Sequence, residues 1–273
     1  MMKFKSYLRE MAAVSVADLD ADFLRRAQKV TSFNLTSKDF TSLKYKKEIQ
    51  HLIRMHFFPK FDLDKTITGK PTKDQLNKVI KELKKQNLSK FLALHNYNLK
   101  GVGPGEATLF FILDDAYLGG GSSAAADIKI GSTDYEVKAG NFNAKQNAYK
   151  DFKIGGTVPL ERMTAAAFKL RDMVDPNLKM GKQGKAEKNG VNGQQKAAIM
   201  KDRKLAAQWN SQVEIPYRKV THKYLNKNPL ILLINKTPAQ QLGEVYHVGP
   251  IRETAISIDV ITQGTIKPKI SAK

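Results

Sequence analysis

Two short runs near the middle of the chain, ADIKIGS and YEVKAGNF, alternate apolar and polar side chains and are separated only by the turn residues Gly131–Asp134. Period-2 alternation on either side of a tight turn predicts a β-hairpin. It commits the chain to a sheet in its middle third, whatever surrounds it. Further on, PLILLINK is almost continuously apolar, as expected of a strand buried on both faces. EVYHVG, TAISIDVI and GTIKPKI, between Gly243 and Ile270, read as further strands.

The first hundred residues have a different period. Leu19, Phe23, Ala27 and Val30 recur at near-helical spacing and predict an amphipathic helix through Ala17–Val30. A second helix is expected from Ser37 to about Phe57, with Leu43, Ile49, Leu52 and Ile53 on its apolar side. Thr72 can cap a third, with Leu76, Val79, Ile80 and Leu83 inward and Lys78, Lys81, Lys84 and Lys85 on the opposite, solvated side.

Gly101, Gly103, Pro104 and Gly105 end this region, and the apolar segment TLFFILDDAYL follows. Periodicity does not choose between helix and strand for it. The Pro104–Gly105 entry, with Glu106 favoured by the dipole of a first turn, is the reason for reading it as a helix. Gly119–Ala126 is a small-residue loop. Pro159 opens a helix over ERMTAAAFKLRDMV, with Leu160, Met163, Ala167, Leu170 and Val174 along one side. Residues 177–193 set Gly181, Gly184, Gly190 and Gly193 among Lys179, Lys182, Lys185 and Lys188, a basic loop that reads either as one able to close over a nucleic-acid backbone or as a solvated insertion. Another helix is expected over Ala197–Gln208. The outcome is an α/β chain: a helical N-terminal region, residues 1–98, and a mixed sheet flanked by helices, residues 99–273.

The chemistry resides in the hairpin. Side chains two apart on a strand project to one side, so Glu136 and Lys138 point together while Tyr135 and Val137 pack. The turn brings Asp127 alongside. Two carboxylates at one place repel unless a hard divalent cation separates them, and Mg²⁺, with its preference for oxygen ligands, meets that need. A lysine beside the pair can orient a water and offset developing phosphate charge.

Asp127 followed by Glu136-Val137-Lys138 resembles the signature of the PD-(D/E)XK nuclease superfamily, restriction-endonuclease-like proteins, and GVGPGE ending at Glu106 resembles the glutamate many members carry on the preceding helix. The residue before Asp127 is Ala126, where the signature has proline. The resemblance covers roughly Gly101–Lys236. It implies an α-β-β-β-α-β core and Mg²⁺-dependent phosphodiester hydrolysis, with Mn²⁺ able to substitute. It further implies catalytic roles for Glu106, Asp127, Glu136 and Lys138, with the metal held by Asp127, Glu136, Glu106 and the Val137 carbonyl.

The charge balance agrees with such a substrate: 46 lysines and arginines against 26 aspartates and glutamates, a formal +20. That excess favours polyanions, DNA first, with Lys179, Lys182, Lys185 and Lys188 as contacts. No cysteine is present, which excludes thiolate metal sites and cysteine nucleophiles. The N-terminus does not read as a secretory signal, and no apolar run approaches membrane-spanning length. His51, His56, His95, His222 and His247 show no metal-ligand spacing, and Trp209 reads as a packing residue. MKFKSYLRE and the lysine-rich helices resemble proteins of large tailed bacteriophages. The expectation is a deoxyribonuclease of phage DNA processing or head maturation, in the host cytoplasm or the virion, acting with DNA and with further copies of itself or virion proteins. The alternative is a virion or DNA-end-binding protein that keeps the fold and does not cut.

Overall fold

The computed structural model describes residues 50, 53–54, 57–97, 103–118, 126–154, 160–174, 190–236, 241–262 and 265–271. The chain is α/β with largely antiparallel strands; every strand pair whose register is defined runs antiparallel. It divides into two compact units, one from Met1–Ala139 with Asn228–Gly249, the other from Gly140–Lys227 with Pro250–Lys273.

In the first unit, α1 (Lys73–Gln86) starts where Thr72 was expected to cap it. Thr72 Oγ1 accepts from the Gln75 N–H at 3.2 Å and Gln75 Oε1 accepts from the Thr72 N–H at 3.0 Å, a reciprocal box that satisfies two otherwise orphaned donors. Leu76, Val79, Ile80 and Leu83 are all buried, as their spacing predicts. Lys78, Lys81 and Lys85 are exposed, but Lys84 is not on the solvated side: it pairs with Glu244 at 3.3 Å and lies over the Phe91 ring. Helix α2 (Leu88–His95) follows at once, capped by Asn87.

Helix α3 (Glu106–Ile112) has all seven residues buried, so no face could announce its length. It stops earlier than expected. Asp114 and Asp115 turn the chain, and Ala116–Leu118 is the strand β1 rather than a continuation of the helix. The last carbonyls of α3 are capped from a distance, by Gln50 Nε2 on Phe110 O and Leu113 O and by Arg54 Nε on Phe111 O at 2.7 Å. Gln50, Ile53, Arg54 and Phe57 are helical, within the second helix expected; Ala17–Val30 lies outside the described residues.

Strand β1 pairs with β2 (Ile128–Ile130), and β2 with β3 (Thr133–Asn143). Ile130 faces Thr133, which leaves Gly131 and Ser132 as the two-residue turn, with Gly131 at φ +57°. Strand β6 (Leu230–Lys236) pairs with β3 and with β7 (Val245–Gly249), and Leu230 to Leu233 are fully buried, as a continuous apolar run requires. One hydrophobic cluster joins α1, α2, α3 and strands β1, β2, β3 and β6.

In the second unit, the end of β3 pairs with β4 (Ala148–Lys150), and the order continues through β9 (Thr265–Ser271) and β8 (Ile256–Thr262) to β5 (Gly190–Val191). Helix α4 (Glu161–Val174) matches its sequence prediction. The helix expected over Ala197–Gln208 is two, α5 (Gly193–Lys201) and α6 (Arg203–Trp209), because Asp202 leaves helical backbone and accepts from the N–H groups of Lys204 and Leu205. A π-helical turn (Asn210–Glu214) and α7 (Ile215–Leu225), neither foreseen, complete the unit. The buried Arg171 donates to Gly190 O at 2.9 Å and pairs with Asp172. The loop lysines Lys179, Lys182, Lys185 and Lys188 and the 119–125 part of the small-residue loop lie outside the described residues. Among the described residues, no helix is long and apolar enough to cross a membrane.

Candidate active site

Strand alternation in β3 places Tyr135 and Val137 in the core and leaves Glu136 and Lys138 together on the other side. Asp127 immediately precedes β2, and its N–H donates to Tyr135 O at 3.1 Å, which sets it beside the same stretch of β3. Its carboxylate is then fixed from the partner strand: Oδ2 accepts the Val137 N–H at 2.8 Å. The ammonium of Lys138 closes the group, 2.5 Å from Glu136 Oε1 and 3.5 Å from Asp127 Oδ2. Asp127, Glu136 and Lys138 are therefore one cluster.

Glu106 joins it electrostatically from the first turn of α3. The backbone of Gly103 hydrogen-bonds its carboxyl, and its N–H donates to Gly103 O. Burial, and after it the charge of Asp127, push the Glu106 carboxyl up to about 8. Burial likewise raises Asp127; Lys138 opposes that rise and Glu136 adds to it. Glu106 is thus largely protonated at neutral pH, beside the Asp127 and Glu136 carboxyl groups that meet one ammonium. The donor set is oxygen only and short of positive charge, the deficit that a hard divalent cation corrects. Among the described residues no three acidic or imidazole groups close on a single point, and the Lys138 ammonium stands at the two carboxylates of the hairpin.

The turn before Glu106 is built on a residue that sequence spacing did not single out. The Gly105 N–H donates to His95 O at 2.7 Å, and Gly105, at φ +86°, is pressed so closely that a Cβ would lie 2.4 Å from Leu233 Cδ1 and 3.1 Å from His95 Cε1. The His95 ring is fully buried, with Nε2 3.2 Å from Asn235 Oδ1 and Nδ1 without a hydrogen-bond partner. No local signal could have found this support, because its partners are 10 and 140 residues away. His51 and His56 lie outside the described residues, while Trp209 packs as expected, 1% exposed.

Comparison with known protein families, with curated proteins and with solved structures finds no match to this chain. The site is therefore read from its own geometry.

That geometry carries a pH signature. Burial lowers the His95 pKa to about 4, so the imidazole is neutral when folded and protonates near 6.5 when unfolded. The unfolded chain takes up the extra proton between those values, and the contribution of His95 to stability, full above pH 6.5, is lost as pH falls toward 4. The loss is about 3 kcal/mol. Glu106, raised above its unfolded value, slopes the opposite way between pH 4.5 and 8, so the measurement is a difference. Urea unfolding of the native chain minus that of His95→Phe should fall by about 3 kcal/mol from pH 7.5 to 4. A difference independent of pH would remove the buried neutral imidazole.

Proposed function

We propose that the cluster of Asp127, Glu136, Lys138 and Glu106 is the active centre of a magnesium-dependent nuclease that hydrolyses DNA phosphodiester bonds. The observation that carries this reading is the position of Lys138, whose ammonium reaches both hairpin carboxylates, that of Asp127 just ahead of β2 and that of Glu136 two residues before it on β3. The order of elements supports it too. Helix α3 is followed by the antiparallel strands β1, β2 and β3, and β6 pairs with β3 after an intervening stretch of β4, β5 and helices, an order compatible with the α-β-β-β-α-β succession that the motif's resemblance implies.

Asp127, Glu136 and Glu106 are the residues that would hold the ion, with the Val137 carbonyl beside them. When bound, Mg²⁺ supplies Lewis-acid polarisation of the scissile phosphate. The remaining work belongs to the chain. The Val137 N–H keeps the Asp127 carboxylate in one orientation. Lys138 orients the attacking water and offsets charge as it grows on the phosphoryl oxygens. The water oxygen bonds to phosphorus, the bond from phosphorus to O3′ breaks, and the departing oxygen takes a proton, leaving 5′-phosphate and 3′-hydroxyl ends. DNA processing or head maturation in a tailed bacteriophage is a setting that suits this activity.

The test is direct. Purified protein incubated with duplex and single-stranded DNA should cut with Mg²⁺ or Mn²⁺ and stop on adding a chelator. Binding without any cleavage across those metals would replace this reading with a DNA-end-binding or virion structural role.

A further inference from the structure

Positive charge is unevenly spread along the chain. Residues 140–227 and 250–273 carry 22 lysines and arginines against nine aspartates and glutamates, +13 of the chain's +20. Within that unit the helical side takes one face of the antiparallel strands. Glu214 accepts from the Ile258 N–H of β8, and the Tyr217 hydroxyl donates to Ile266 O of β9. Ile258, Ile266 and Ile270 are buried on that side. Alternation then sends Lys267 and Lys269 of β9 to the opposite face.

Lys150 shares that face. Tyr149 is paired with Ile270 and is fully buried, so its neighbour Lys150 projects the other way. Asn141, opposite Lys150 on β3, follows it, and its Oδ1 is buried without a partner. Among the described residues, Asp259 is the one carboxylate that pairs with a lysine of this face, 3.7 Å from Lys150 Nζ. Asp259 is the extra residue of a bulge, since Ile258 faces Pro268 and Val260 already faces Lys267. A bulge re-aims one side chain, and here it turns a single acid toward Lys150, with Oδ2 making no hydrogen bond within the protein. Neither Lys267 nor Lys269 has an ion-pair partner among the described residues.

We infer that the sheet face bearing Lys150, Lys267 and Lys269 binds the sugar–phosphate backbone of nucleic acid, with Asp259 as a built-in counterion that moderates its grip. The choice of nucleic acid as partner rests on the nuclease reading above. The contact is electrostatic and independent of base sequence, because ammonium groups on a sheet meet phosphates and carry no donor pattern for base edges. It involves none of the lysines of the 177–193 stretch and needs no metal.

The experiment measures binding of the full chain to a labelled duplex DNA by fluorescence anisotropy, in chelator so that nothing is cut, from about 50 to 200 mM salt. Lys267→Gln/Lys269→Gln should weaken binding about 10- to 100-fold and make the slope of log K against log salt shallower by about 1.8. Lys267→Arg/Lys269→Arg should keep both, and Asp259→Asn should tighten binding several-fold. Should the double glutamine variant fail to fold, the single variants, each showing about half the change in slope, decide the matter. Unchanged affinity and slope in folded glutamine variants would overturn the inference. So would a lysine-dependent affinity for polyglutamate with DNA binding unaltered. The two readings fail separately: binding that follows these variants in a protein that never cuts sinks the nuclease alone, whereas cutting with lysine-independent binding sinks this interface alone.

Discussion

Lys138→Ala is expected to keep the fold and lower DNA cleavage about 10²–10⁴-fold, equivalent to roughly 3–5 kcal/mol of transition-state stabilisation. The side chain is 18% exposed and packs no core position, so its loss removes charge rather than structure. What remains is Asp127 beside Glu136 with nothing positive between them, and the group proposed to orient water and face the phosphate is gone. Lys138→Arg should rescue little, since a planar fork cannot sit as a point charge between two carboxylates at 2.5 and 3.5 Å. Steady-state cleavage of a labelled duplex, beside circular dichroism of each variant, reads both effects. Robust cutting by the folded alanine variant would refute the assignment of the site.

The second large effect concerns stability. Glu214, 7% exposed at the end of the π-helical turn, accepts from Trp209 Nε1 at 3.0 Å, from Lys196 Nζ at 3.1 Å and from the Ile258 N–H at 3.2 Å. Lys196 also lies over the Trp209 ring. One carboxylate thus satisfies an indole, an ammonium and a strand amide in the same buried place. Glu214→Ala strands all three donors and should cost about 3–5 kcal/mol, as for other buried pairs broken on one side. Glu214→Gln keeps an acceptor for Ile258 but loses the charge, and about 1.5–3 kcal/mol is expected. Urea unfolding followed by Trp209 fluorescence measures both. A loss under 1 kcal/mol for the alanine variant would show that water replaces the carboxylate.

Local rules reached what local rules govern. The hairpin was legible because Ile128, Ile130, Tyr135 and Val137 keep a period of two on either side of a Gly-Ser turn, and the same period makes Glu136 and Lys138 neighbours of Asp127. Thr72 was legible because a cap acts within three residues. The end of α3 was not, since a helix buried all round has no stripe whose end could be seen, and its C-terminal carbonyls are satisfied from Gln50 and Arg54. Asp202 reads as one more charged residue until its carboxylate is seen accepting two backbone donors. The π-helical turn is held by a contact to Ile258, 44 residues away, and the support of Glu106 by His95 and Asn235 is equally non-local.

Gly105 and Gly131 both have positive φ, yet their surroundings differ: nothing lies within 4 Å of a Cβ on Gly131, whereas one on Gly105 meets Leu233 and the His95 ring. The hairpin turn therefore leaves room for asparagine or aspartate, the side chains that best tolerate left-handed backbone. The entry to α3 leaves room for none. In a saturation library selected for whatever this protein does, position 131 should return a small family of survivors and position 105 a single residue.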